Sequence, residues 1–220
     1  MLANDYMVKY RSGMATKIAS SQSPRAARTR AALIAAGFDL LVDRPIDAIP
    51  IDDVVAQAKV SKGSFFNHFA DKQAFADAIA VEVRLELEAL VALANAGILD
   101  PVERIAGGMR VGARFALSQP KRSAVLLRGQ ETSTLRAHPL NQGLREDIDA
   151  ACAAGLLRPA ARDSGVLYWL GLCQILMVNL VERQPSRNEA ATRIRETMVL
   201  GLTGLGIPEP RARMIAAMEP

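Results

Sequence analysis

Apolar positions in this chain recur at steps of three and four over most of its length, and that spacing predicts helices. Between 25 and 42, Ala31, Ile34, Ala35, Phe38, Leu41 and Val42 line one face. Pro45 then bars continuation. A short helix is expected at about 50–58 and another at about 61–69, with only Lys59 and Val60 between them. Neither is long enough to stand alone, so both must pack on neighbours. A long amphipathic helix follows, marked by Phe75, Ala78, Ile79, Val83, Leu87, Leu90 and Ala94, and ends near Gly97. Further helices are expected near 101–118, 121–132, 140–154, 161–183 and 187–205, with Pro120, Pro139, Pro159 and Pro185 punctuating the gaps. No segment alternates with period two in Val, Ile, Thr and aromatics, so strands are not expected. The pattern predicts an all-α protein of about nine helices.

The same pattern divides the chain. Residues 1–24 carry Ser, Lys and small residues without helical period and read as a flexible basic arm, within which Met14 is an alternative start. Residues 25–80 form a three-helix module, 81–210 a larger helical domain and 211–220 a tail, with the boundary inside the long helix. At 220 residues, half of them apolar, the chain can bury a real core.

Charge sharpens the picture at one end. The formal net charge is +4, yet the first thirty residues hold Lys9, Arg11, Lys17, Arg25, Arg28 and Arg30 against one acid, Asp5. Such a segment attracts a polyanion, of which a nucleic-acid backbone is the commonest, although a solvated basic tail has the same composition. The two cysteines, Cys152 and Cys173, have no metal-ligand spacing, and two histidines are too few to complete a zinc site. Neither a disulfide framework nor a metal is expected. The N-terminus lacks the apolar core of a signal peptide, and the richest apolar stretch, 166–181, is broken by Gly171, Gln174 and Asn179 and falls short of a spanning length. A soluble, cytoplasmic protein is the expectation.

On a helical wheel the segment 61–69 has two characters. Phe65 and Phe69 fall on one side, while Gly63, Ser64, Asn67 and His68 fall on the other. Ser61 is placed to cap the helix, which leaves Lys62 and the first free N–H groups pointing outward, where the dipole favours a phosphate. Gly63 has no side chain to hold a surface away. An apolar side anchored to a scaffold, opposite donors that fit a major groove, is the chemistry a recognition helix requires. The preceding helix, 51–57, would brace it across the backbone, with Asp52 and Asp53 suiting its first turn and pointing away from phosphate.

Over residues 28–79, and most closely in VSKGSFFNHFADK at 60–72, the sequence resembles the DNA-binding domain of the TetR family. The resemblance implies base or groove contacts from Lys62, Ser64, Phe65 and Asn67 and phosphate contacts from His68 and Lys72, with Gly63 and Phe66 part of the same DNA-binding surface. Three positions depart from the family pattern. Phe66 stands where a phosphate-binding Tyr is usual and loses the hydroxyl contact. Pro50 replaces a capping Thr. Lys59 replaces a turn Gly, at a cost of about 1 kcal/mol if its φ is positive.

By the same resemblance, the larger domain would bind a small-molecule effector and form a homodimer through its last two long helices. A two-fold dimer would present two recognition helices about 34 Å apart to a palindromic operator. Gly165, Gly171, Gly201 and Gly204 would allow close helix approach. Met109, Phe115, Leu127, Trp169, Cys173 and Met177 are the candidate lining of a pocket for a hydrophobic effector, although such residues also make ordinary core. Arg110 and Arg114 would hold an anionic ligand or face solvent. The long helix, 72–95, is the candidate lever between the domains. The expected function is that of a ligand-released transcriptional repressor, with no catalytic residues, metal or cofactor. Two other readings are a helical dimeric adaptor and a small all-α enzyme. His68 and His138 offer acid–base groups to the enzyme reading, but nothing in the sequence places them together, and no nucleophile elbow or phosphate loop accompanies them.

Overall fold

The computed structural model describes residues 23–128 and 139–218. Among them there are ten α-helices, two short 3-10 turns and no strand. The basic arm at 1–24 lies almost wholly outside the described residues, as do residues 129–138, His138 among them. The chain divides into two compact units, Met1–Arg84 and Leu85–Pro220, and the division falls within a single helix.

In the first unit, α1 spans Pro24–Asp43. Ser23 caps it by accepting from the Ala26 N–H at 3.3 Å, and Pro24 occupies the first turn, where no donor is lost. The buried face of α1 is Leu33, Ala36, Gly37 and Leu41 rather than the face built on Ala31, Ile34 and Ala35. Gly37 lies on that buried face. A Cβ there would lie 2.2 Å from the ring of Phe75 and 2.7 Å from Ile79, so α1 meets the long helix α4 (Lys72–Ala94) at a bare backbone position. A hydrophobicity pattern gives no weight to that contact.

After a 3-10 turn at Ile46–Ala48 come α2 (Ile51–Ala58) and α3 (Lys62–Phe66). The third helix is five residues long, shorter than its apolar pattern predicts. It survives because Phe65, Phe69 and Phe75 pack as one cluster, with ring centroids 4.8–5.6 Å apart. The Arg30 guanidinium lies 5.6 Å over the Phe69 ring and pairs with Glu82 at 3.2 Å, tying α1 to α4.

The second unit is built around α5 (Pro101–Ser118), whose first turn is capped by Asp100 through the Val102 N–H at 2.8 Å. Around it lie α6 (Pro120–Arg128), α7 (Gln142–Ala153), α8 (Ala161–Arg183) and α9 (Arg187–Leu205). Ser186 and Glu189 form a reciprocal capping box on α9, and Gly206, at φ 104°, ends it.

Residues 211–217, expected to belong to a tail, are helical. Helix α10 (Glu209–Ala217) buries Ala212 and Ile215. It is fastened to α5 by Arg211 on Asp100 at 2.6 Å and by Arg110, which donates to the Ile215 carbonyl at 2.9 Å. Burial first, then the neighbouring Arg114, lowers the pKa of Arg110, with Glu103 opposing. Arg110 is thus a structural bridge, and Arg114 is exposed.

Helix α8 also departs from expectation. By length and composition it could cross a membrane, with mean hydropathy 1.6 over its most apolar window. One face is core, however, with Val166, Trp169, Leu176, Met177 and Leu180 all buried.

Candidate nucleic-acid interface

The turn between α2 and α3 is set by Lys59, at φ 55° and ψ 44°, the left-handed conformation that glycine adopts most easily. In that conformation its N–H reaches back to the carbonyls of Ala56 and Val55, and Val60 N–H bonds the Val55 carbonyl at 3.0 Å. Helix α2 is closed and the chain turns at once into Ser61. Pro50 supplies no side-chain cap at the other end of α2, where Asp52 and Asp53 complement the dipole instead.

Ser61 starts α3. Its hydroxyl accepts from the Ser64 N–H at 3.3 Å and shares a 2.9 Å hydrogen bond with the Ser64 hydroxyl. Phe65 is wholly buried, which fixes the rotation of this short helix. Lys62, Gly63, Phe66 and Asn67 are consequently exposed, with Ser64 half-buried. Gly63 is open, since nothing approaches a Cβ there closer than the Ser61 hydroxyl at 4.0 Å. The Lys62 ammonium pairs with Asp52 across the turn at 2.9 Å.

Three of the residues assigned to contacts turn partly or wholly to the module itself. Phe65 belongs to the aromatic cluster and is sealed from any groove, as its wheel position on the apolar side requires. Lys72 donates to the carbonyls of Asp47 at 3.0 Å and Ile49 at 3.1 Å, so it closes the loop before α2. His68 is half-buried, with Nδ1 enclosed and lacking a hydrogen-bond partner. Its pKa is lowered by that burial and, secondarily, by Arg30. The packing roles of Arg30, noted in the sequence only for its charge, and of Gly37 went unmarked because their partners lie about forty to fifty residues away.

The six pocket candidates lie in the second unit. Met109, Phe115, Trp169 and Met177 are buried, and Leu127 and Cys173 half-buried. Trp169 rests on Gly201, where a Cβ would be 2.8 Å from the indole, and Met177 sulfur faces Gly112. Gly204 likewise receives the Tyr168 ring. Gly201 and Gly204 therefore serve packing of α8 on α9 within one chain, Gly165 meets Ile148 of α7, and Gly171 is open.

Residues 33–79, which hold this turn and helix, match the profile of bacterial regulatory proteins of the tetR family. They form a TetR-family domain. A 75-residue segment is 34% identical to the HTH-type transcriptional repressor DhaR of Mycobacterium sp. (strain GP1), covering 33% of this chain and 37% of that repressor's length. A putative tetR family transcription regulator from Shewanella sp. PV-4 superposes with TM-score 0.66 at 16% identity, over 82% of this chain and 99% of that one. RolR in complex with resorcinol superposes with TM-score 0.61 at 19% identity, covering 90% and 97%. A gamma-butyrolactone receptor, an ArpA-like protein, gives 0.55 at 21% identity, covering 89% and 97%. The TetR-type helix-turn-helix thus consists of α2, the Lys59 turn and α3, braced by α1 and α4.

Proposed function

We propose that this protein is a cytoplasmic homodimeric transcriptional repressor that grips a palindromic operator with α3 and is released by a small-molecule effector. The observation that carries the reading is the disposition of α3 within a TetR-type module, Phe65 inward and Lys62, Gly63 and Asn67 outward. An amide, a cation and a bare backbone position on one exposed surface are suited to base edges and phosphates. DhaR is a transcriptional repressor, which supports repression over activation.

The dimer reading rests on α8 and α9. Leu167, Ile175 and Leu200 are 59%, 63% and 69% exposed, an apolar surface on the two helices expected to pair with a second copy. This same surface explains why α8 is more apolar than one buried face requires. The effector would enter among Met109, Phe115, Leu127, Trp169, Cys173 and Met177, and we infer a small, largely apolar compound. RolR was crystallised with resorcinol, and another similar fold is a gamma-butyrolactone receptor. Binding would shift the population of DNA-competent dimers by no more than its differential affinity for the two states.

Footprinting on the DNA upstream of the protein's own gene tests the proposal. It predicts a two-fold protected site, affinity that falls steeply with salt, and loss of that site in Asn67→Ala. Weak retention of any duplex, unchanged by Asn67→Ala, would refute it.

A further inference from the structure

Resting on the DNA-binding reading above, we infer that Phe66 reads the C5-methyl group of a thymine in the major groove, so that the operator half-site carries an A·T pair at a fixed place. Phe66 is 52% exposed and stands out as a large apolar side chain left open among the described residues of the first unit. Its ring makes a T-shaped contact with the fully buried Phe65 at 5.4 Å and 83°. Lys62 stands one turn earlier on the same side of α3. Gly63, three positions before Phe66, leaves that side of the helix uncovered.

A phenyl ring has neither donor nor acceptor, so it makes no hydrogen bond to a phosphate or a base edge. Among the features that distinguish base pairs in the major groove, the thymine methyl is the apolar one, and Phe is among the side chains suited to it. Asn67 is next in sequence and exposed, and its amide matches the N6 and N7 edge of adenine. The pair of residues is therefore suited to an A·T-bearing step, with methyl contact and amide contact supplied from adjacent positions. Lys62, paired with Asp52 at 2.9 Å, adds a cation beside them.

The test uses the full-length protein and the footprinted duplex made in two forms, with thymine and with deoxyuridine in its place. Base pairing is the same and only the methyl groups differ. Wild-type protein is expected to bind the deoxyuridine duplex about fivefold to thirtyfold more weakly, the equivalent of ~1–2 kcal/mol for two methyl contacts at ~0.8 kcal/mol each. Phe66→Ala is expected to bind both duplexes equally, near the weaker level, and Phe66→Leu to retain part of the difference. Equal binding of both duplexes by wild type would overturn the inference without touching the repressor reading, since the thymine duplex would still show its salt-sensitive site. Full thymine preference in Phe66→Ala would also overturn it, and the wild-type comparison stands whether or not a variant folds.

Discussion

The ammonium of Lys62 lies 2.9 Å from a carboxylate oxygen of Asp52, so a cation on the exposed face of α3 is held by an acid on α2. Both side chains are more than half exposed, and such pairs contribute only about 0–1 kcal/mol. A phosphate approaching Lys62 must displace Asp52. Asp52→Asn is accordingly expected to raise affinity up to about fivefold for operator and random duplex alike, with stability changed by less than ~1 kcal/mol. Anisotropy titrations on the two duplexes would show it, and an unchanged or weaker affinity would contradict it.

Lys59 occupies left-handed backbone, which costs a non-glycine residue about 1 kcal/mol. Lys59→Gly should raise the stability of the N-terminal unit by about that amount, read from its denaturant midpoint. A loss of stability would mean that the lysine side chain contributes more than its conformation costs.

At Gly37 an added methyl would meet the Phe75 ring at 2.2 Å and 2.5 Å. Gly37→Ala should destabilise the module by about 1–3 kcal/mol or more, as overpacking does. Trimming the opposing ring in Gly37→Ala/Phe75→Leu should recover part of the loss, a non-additivity that thermal unfolding of the four variants would measure.

Lys72→Met separates two roles for that lysine. Its ammonium satisfies the partly buried Ile49 carbonyl, so removal should cost about 1–3 kcal/mol of stability. A contact to DNA phosphate alone would instead leave the melting temperature unmoved and lower affinity only.

Burial holds His68 below the ordinary imidazole range, so the folded protein resists taking up a proton that the unfolded chain accepts. The stability this contributes is complete above the unfolded value of about 6.5 and falls as pH drops from there toward the folded value. His68→Gln should flatten that part of the stability–pH curve, measured by unfolding between pH 7.5 and 5. An unaltered slope would place the titration elsewhere.

Much of the architecture could be read from the chain. Pro159 and Pro185 bracket α8, and α8 and α9 run over the residues their spacing predicts. Pro120 instead opens α6, since proline is welcome in a first turn. Helix α10 was missed because it is short and buries little beyond Ala212 and Ile215. In the interface, the wheel placed Phe65 inward correctly, whereas family resemblance assigned it a contact its burial forbids. Lys72 carries a second role that its spacing did not show. A lone cation pairs as readily with carbonyls at a loop end as with phosphate, and sequence spacing does not distinguish them.

The brevity of α3 has a genetic corollary. A rod of five residues borrows its shape from Phe65, Phe69 and Phe75, so it has no independent existence to fall back on. A screen for alleles that abolish regulation should recover substitutions at these hidden rings as often as at Asn67. The first class would be rescued by cooler growth and the second would not.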